Sequence, residues 1–219
     1  SGDVYTWGHG SLGQLGHGTL ETAIRPKKVT YFASEANKSS VIAAVAAGGA
    51  NSSAITSQGD LFIWGWNRYS QLGTGIRGGQ YSTTPRQLRH ASLKDVVPGK
   101  IVLSEQHTAV LTKKGQLFTW GKVRHGRLGI GILPGMSESS VCESPRHVAF
   151  FKSTSLRDCA SGSCHMLALT AANEVFSWGA GNEGQCGHGS RFNWQYPKLV
   201  EALRDVRVTS IYAGKWHSV

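Results

Sequence analysis

The chain has 219 residues, with 28 glycines, 40% apolar residues, only 16% charged residues and a formal net charge of +10. Many glycines and few charges favour an all-β protein rich in turns, and no apolar run approaches the roughly 20 residues of a membrane-spanning helix. The positive charge allows attraction to nucleic acid, acidic proteins or an anionic membrane, and it does not choose among them.

The first predicted element is a short alternating strand that ends in a Trp-Gly pair and recurs roughly every 57 residues. Its four tryptophans are Trp7, Trp64, Trp120 and Trp178. A fixed glycine follows in the loop after each pair, at Gly16, Gly73, Gly129 and Gly187. The spacing indicates an array of similar units. We expect the tryptophans to pack between neighbouring units and the glycines to provide positive φ or close backbone approach.

Each loop leads into a strand marked by a proline and then into a hairpin of small residues. The prolines are Pro26, Pro85, Pro145 and Pro197. Because proline lacks a backbone donor, we predict that this strand is short or lies at a sheet edge. The hairpin carries a histidine in three units, at His107, His165 and His217, and Asn51 in the first. Since each histidine belongs to a different unit, we interpret them as structural residues that bond a neighbouring backbone group.

Four short antiparallel strands per unit predict a β-propeller with four-stranded blades. Residues 1–219 form a single repeat array, with units at about 1–56, 57–112, 113–170 and 171–219. The chain starts and stops at nearly the same phase of the repeat. We therefore expect an excerpt of a longer propeller rather than a ring of four blades closed by its own ends.

The combined pattern is Trp-Gly-x4-Gly-x-Leu-Gly-x-Gly, then Pro-x-x-Val, then Ala-Gly-x-x-His, and it resembles the repeat of the regulator of chromosome condensation family. The resemblance covers the whole chain, with departures at Asn51, Ser70, Arg127 and Cys186. It implies a seven-bladed propeller. It also implies a role as exchange factor for a Ran-type GTPase, as chromatin binder, or as interaction module in larger proteins such as ubiquitin ligases, kinases and BTB-domain proteins.

The sequence shows no catalytic constellation, and we predict a protein that is not an enzyme and needs no cofactor or metal. Cys159, Cys164 and His165 offer three zinc ligands, but their spacing is wrong for tight pairs and no fourth ligand is evident. The glycine-rich loops lack the following helix that a phosphate-binding motif requires. The four cysteines form no Cys-x-x-Cys pair and are expected to be free thiols in an intracellular compartment, cytoplasm or nucleus.

Two loops carry the candidate partner-binding residues. The second repeat places Trp66, Arg68 and Tyr69 there, and the third places Lys122, Arg124, His125 and Arg127. Lys113 and Lys114 lie on the turn before. Equivalent loops of adjacent blades share one rim, so these residues are predicted to form a basic and aromatic patch for an acidic protein surface or a nucleic-acid backbone. The alternative is an ordinary solvated basic loop.

These observations predict a protein–protein interaction propeller that serves as a binding or regulatory module of a larger protein. One alternative is a guanine-nucleotide exchange factor for a Ran-like small GTPase. Another is binding to chromatin, with nucleic acid or histones as partners suggested by the net charge. The array itself is expected to be completed by further residues of the same protein.

Overall fold

A computed structural model describes residues 2–33, 41–75 and 81–219 of the chain, and these ranges contain strands and single 3₁₀ turns without an α-helix. The strands are β1 Tyr5–Gly8, β2 Ala23–Lys28, β3 Ile42–Gly48, β4 Asn51–Thr56, β5 Leu61–Trp66, β6 Tyr81–Gln87, β7 Pro98–Leu103, β8 His107–Thr112, β9 Leu117–Lys122, β10 Val141–His147, β11 Leu156–Ser161, β12 His165–Thr170, β13 Val175–Gly179 and β14 Trp194–Leu199. The 3₁₀ turns are Thr30–Ala33, Ala91–Leu93, Arg124–Gly126, Ala149–Phe151 and Glu201–Leu203.

The strands form one two-stranded sheet and three four-stranded antiparallel sheets. The order in the small sheet is β1-β2, and the larger sheets have the orders β3-β4-β5-β6, β7-β8-β9-β10 and β11-β12-β13-β14. We call the three larger sheets blades one, two and three. Consecutive strands pair throughout, as expected for chains joined by tight turns. The predicted all-β propeller with four-stranded antiparallel blades is confirmed.

The blades are offset by half a unit from the repeat units read in the sequence. Blade one takes β3 and β4 from the first unit, and β5 and β6 from the second. The tight turn at Ser57–Asp60 joins the two halves. Each unit of the sequence therefore contributes to two neighbouring blades, so the repeat ties successive blades together covalently.

The prolines lie in the outer strand of each sheet. The strands β3, β7 and β11 are the ones that contact one another between blades, so they form the inner side of the array. Pro85, Pro145 and Pro197 lie in β6, β10 and β14, at the opposite edge of each blade. The edge position predicted from the missing backbone donor is confirmed.

Neighbouring blades share apolar cores. One core joins Ile63 of blade one to Val110 and Trp120 of blade two. The next joins Leu117 of blade two to Trp178 of blade three. Burial of this apolar surface between sheets, at about 25 cal/mol per Å², is the main stabilising contribution to the array.

A tryptophan latch reinforces each seam between blades. The indole Nε1 donates a hydrogen bond to a carbonyl in the loop of the preceding repeat, from Trp64 to Gln14 (3.0 Å), Trp120 to Gln71 (2.7 Å) and Trp178 to Arg127 (3.1 Å). These three rings are buried, as predicted, whereas Trp7 is 60% exposed.

A fixed glycine lies directly against each latched ring. A Cβ on Gly16, Gly73 or Gly129 would stand 2.7 Å from the indole Nε1 of Trp64, Trp120 or Trp178. Each of these glycines also has φ near +70°, where side chains are strained. The repeat therefore needs glycine here for two separate reasons, space and backbone conformation.

Candidate functional site

The connections between strands divide the array into two faces. The long loops β1–β2, β5–β6, β9–β10 and β13–β14 lie on one face, together with the turns that precede β4, β8 and β12. We call it the loop face. The turns β4–β5, β8–β9 and β12–β13 lie on the opposite face. Lys113 and Lys114 occupy the β8–β9 turn, whereas Lys122 ends β9 about 17 Å away. The two lysines therefore lie outside the predicted rim patch.

Four of the predicted residues, one of them a tyrosine, lie close together on the loop face. The rings of Trp66 and Tyr69 pack edge to face with centroids 5.7 Å apart. The ammonium of Lys122, from the next blade, lies 4.5 Å from the centre of the Tyr69 ring, and the Arg68 guanidinium lies 5.8 Å from it. We call Trp66, Arg68, Tyr69 and Lys122 the tyrosine cluster. It brings the loops of the second and third repeats together, as the sequence predicts.

The cations of the tyrosine cluster lack acidic partners. Within residues 2–33, 41–75 and 81–219, the ion pairs found join Lys28 to Asp3, Lys100 to Asp158 and Arg204 to Glu201. Neither Arg68 nor Lys122 belongs to such a pair. Arg68 is exposed and Lys122 is half-buried. The tyrosine ring holds both cations through its π face, an attraction of about 0.5–1 kcal/mol at exposed sites, and leaves their charge uncompensated.

Arg124 and His125 turn away toward blade three. The 3₁₀ turn begins at Arg124, and His125 adopts φ 64°. Its backbone N–H donates to Glu138 (2.7 Å), and its ring Nδ1 lies 3.2 Å from the side-chain nitrogen of Asn193. The other Glu138 oxygen accepts from Gln195 of β14 (2.7 Å). This network fixes the loop of the third repeat to blade three instead of the tyrosine cluster.

The protonation states in this network follow from its contacts. Burial, followed by the charges of Arg127 and Arg124, lowers the pKa of His125, so the ring is neutral at pH 7. The backbone N–H of His125 lowers the pKa of Glu138 and keeps its carboxylate ionised. Of the four basic residues predicted here, His125 thus contributes no charge to the surface.

Arg127 is buried and must be removed from the predicted surface patch. Its guanidinium donates to the Arg124 carbonyl (2.8 Å), to Gln106 Oε1 (2.8 Å) and to the Ser163 carbonyl (3.3 Å). It therefore bridges the β7–β8 and β11–β12 turns of two blades. A side chain that is 1% exposed cannot reach a partner at the rim, and its role is to hold the seam.

The burial of Arg127 has a signal in the repeat itself. The equivalent residues are glutamines, and each accepts the N–H two residues before it: Gln14 from Leu12, Gln71 from Tyr69 and Gln185 from Glu183. Arginine cannot accept, and Glu138 takes over that role for the His125 N–H. The position in the repeat, rather than the residue type, indicates the buried location.

Two of the recurrent histidines are buried at the seams between blades. His107 is buried between two hydroxyls, with Nδ1 2.6 Å from Ser104 and Nε2 2.8 Å from Ser161 of the next blade. His165 is likewise buried and contacts Ser218 through Nε2 (3.1 Å). A backbone partner is found for His165, at His217, and for Asn51, which donates to the carbonyl of Trp66 (2.6 Å). His217 is exposed.

No cluster of three or more His, Cys, Asp or Glu residues in the described ranges could hold a metal ion. Cys159 is buried, and burial raises the pKa of its thiol to about 12. In the same ranges, no helix is long and apolar enough to cross a membrane.

Comparison with known proteins places this architecture in a family. The sequence profile of the RCC1-like domain matches residues 1–219. The E3 ubiquitin-protein ligase HERC2 of Homo sapiens is 32% identical over 218 residues, which are 99% of this chain and 4% of HERC2. The ultraviolet-B receptor UVR8 of Arabidopsis thaliana is 32% identical over 250 residues, covering 92% of this chain and 54% of the receptor.

Solved structures agree on the fold. Human WBSCR16 superposes with a TM-score of 0.79 at 25% identity, covering 99% of this chain and 52% of that one. Prp20p of Saccharomyces cerevisiae, solved in a study of its binding to Gsp1p and histones, gives a TM-score of 0.82 at 22% identity and covers 99% and 50%. The chain thus spans about half of UVR8 and of these two solved chains, and a small part of HERC2.

Proposed function

Because the chain belongs to the RCC1-like domain family, we propose that it is a protein–protein interaction propeller, serving as a binding or regulatory module of a larger protein. The tyrosine cluster supports this proposal most directly. It combines an aromatic pair with two cations that no described carboxylate compensates. Tyrosine, tryptophan and arginine are the residue types enriched at binding hot spots.

The composition of the cluster defines its partner chemistry. Lys122 and Arg68 are positioned by the Tyr69 ring, so little side-chain freedom is lost when an anionic group approaches them. The half-buried ring of Trp66 offers apolar surface beside the charges. A protein that presents a carboxylate next to an apolar side chain fits this arrangement.

Affinity capture with charge-reversed variants tests the proposal. The whole protein, the variant Lys122→Glu and the control Lys114→Glu would be used as baits, and the retained proteins compared by quantitative mass spectrometry. The two substitutions change the charge equally, but Lys114 lies on the opposite face. We expect specific partners to be lost with Lys122→Glu and kept with Lys114→Glu. Retention of all partners by Lys122→Glu would reject the cluster as their binding site.

A nucleotide-release assay separates this function from guanine-nucleotide exchange. Prp20p, a protein studied for its binding to Gsp1p, has the same fold. At 22% sequence identity, this similarity shows a shared fold and does not show a shared function. Purified protein would be mixed with a panel of Ran-like and Rab-like GTPases loaded with fluorescent nucleotide. We expect unaccelerated release. Faster release from one GTPase would favour the exchange-factor role instead.

Binding to nucleic acid is the second candidate, favoured by the net charge of +10. Polyanion binding through phosphates falls steeply with added salt. A nucleic-acid complex that persists unchanged from low to physiological salt would argue against this candidate.

The extent of the array and its compartment also remain proposals. We propose that further residues of the same protein complete a propeller of seven blades, since the chain spans about half of two solved relatives. We also propose an intracellular location, in cytoplasm or nucleus, supported by the free cysteines.

A further inference from the structure

A second feature of the loop face is an open groove beside the tyrosine cluster. It has a volume of about 860 Å³ and lies between residues 68–70, which follow β5 of blade one, and the β9–β10 loop with strand β10 of blade two. Its volume falls within the roughly 300–1,000 Å³ typical of ligand sites. The residues that bond the loop of the third repeat to blade three are not among those that line the groove.

Two arginines give the groove a positive character. Arg68 and Arg146 enter its lining from different blades, and both side chains are exposed. Neither forms an ion pair with a carboxylate in the described part of the chain. Glu143 is the acidic residue of the lining, so two positive charges face one negative charge. The groove thus favours an anionic ligand.

The remaining lining suits a peptide better than a free small anion. Pro134, Met136 and Val141 provide apolar surface, and Met136 also packs against the core shared by blades one and two. Ser139 and Ser144 add hydroxyls. Apolar surface in the same groove as two cations matches a chain segment that carries both anionic and apolar side chains, whereas inorganic phosphate would use the cations alone.

Two backbone carbonyls at the outer edge of the groove already accept hydrogen bonds. Gly75 donates to the carbonyl of Glu143 (3.1 Å), and Ser92 Oγ donates to the carbonyl of Pro145 (2.8 Å). A ligand therefore cannot add a full strand to β10 through those carbonyls. Recognition has to come from side chains, which makes charge the deciding property.

We propose that this groove binds an extended acidic peptide segment of a partner protein, with its carboxylates on Arg68 and Arg146 and an apolar side chain on Met136. This inference rests on the proposed interaction function and adds the chemistry of the partner. Arg146 lies outside the tyrosine cluster, so it reports on the groove independently of Lys122.

Fluorescence anisotropy with designed peptides tests the groove. The probe is a labelled peptide of glutamate and serine with one leucine, measured on the whole protein. Its twins carry glutamine, or phosphoserine, in place of every glutamate. We expect the glutamate peptide to bind at least about tenfold more tightly than the glutamine twin, and Arg146→Glu to remove most of that difference. Stronger binding of the phosphoserine twin would overturn the assignment of carboxylates as the groups that the groove binds.

The matched control is Lys114→Glu, which should leave the affinity for the glutamate peptide within about twofold, since it lies on the opposite face. Equal binding of the glutamine twin, or equal losses in Arg146→Glu and Lys114→Glu, would overturn the inference. Loss of captured partners in Lys122→Glu without any preference for the glutamate peptide would overturn the groove and leave the proposed function standing. Far-ultraviolet circular dichroism of each variant verifies that it is folded.

Discussion

The glycine beneath each latched tryptophan combines two constraints in one residue. At Gly129 the backbone has φ +68°, and an added Cβ would meet the Trp178 ring. Gly135 has a similar φ of +76° with nothing within 4 Å of such a Cβ. The pair therefore separates the cost of the left-handed backbone from the cost of crowding the ring.

The prediction is that Gly129→Ala destabilises the protein by about 3 kcal/mol, while Gly135→Ala costs about 1 kcal/mol. Both variants bear the backbone strain, but only the first displaces the indole. Urea denaturation followed by tryptophan fluorescence measures both. Equal losses would mean that the ring tolerates the methyl group and that space is not the constraint.

Acid sensitivity is a second property set by single residues. Burial lowers the pKa of His165 to about 4, below the ordinary value of about 6.5. The unfolded chain thus binds this proton at higher pH than the folded chain. The contribution of neutral His165 to the free energy of unfolding is fully present above about pH 6.5 and decreases as the pH falls toward 4. His107, also buried, has its pKa lowered in the same direction.

We expect His165→Asn to flatten the pH dependence of unfolding in this window, because the site no longer titrates. The slope should fall by up to about 1.4 kcal/mol per pH unit. Asparagine occupies the equivalent place at Asn51, so the array accommodates it. Denaturation midpoints of both proteins between pH 6.5 and 4 provide the measurement. If the two proteins lost stability in parallel as the pH falls, the assignment of this pH dependence to His165 would be wrong.

At the scale of elements, the strands and the latch explain how blades stay in register. The latch tryptophan stands on one blade and its acceptor in the loop of the preceding repeat, so the bond crosses a seam. Outer strands with proline end each sheet and offer few free donors to other chains. The repeated sequence pattern therefore specifies the contacts between blades as well as the strands within each blade.

Shortening a latch ring should weaken its seam. Trp120→Phe removes the hydrogen bond to Gln71 and leaves part of the buried site empty, which we expect to cost about 2 kcal/mol. Tyr81→Phe is the control, since that ring is 46% exposed on the outer strand β6, and it should cost less than about 0.5 kcal/mol. Differential scanning calorimetry would detect the difference. A similar shift in both variants would contradict the latch.

Much of the arrangement of strands and blades could be predicted from the sequence because the same sequence pattern repeats along the chain. The period, the edge prolines and the buried tryptophans each appear several times, so chance matches average out. The charge of Arg127 predicts a surface position. The equivalent position in the other repeats holds a glutamine, and in the third repeat this position is buried. The separation of Lys122 from His125 depends on a 3₁₀ turn and on Glu138, which lies in a loop without a repeat counterpart.

For the molecule as a whole, function follows from the loop face. The tyrosine cluster and the groove meet at Arg68, which belongs to both. Lys122 and Arg68 lie against the Tyr69 ring, and neither they nor Arg146 pairs with a carboxylate in the described part of the chain, so these cations are available to a partner. The seams keep the loops of adjacent blades together, and the stability of the array is what preserves the binding surface.

The most direct test of this account is isothermal titration calorimetry of a captured partner against the wild-type protein, Lys122→Glu and Lys114→Glu. Reversal of Lys122 replaces an attraction at the cluster with a repulsion and should weaken binding at least about tenfold, or 1.4 kcal/mol. Lys114→Glu should leave the affinity unchanged. Wild-type affinity in Lys122→Glu, or equal weakening in both variants, would contradict the loop face as the binding surface.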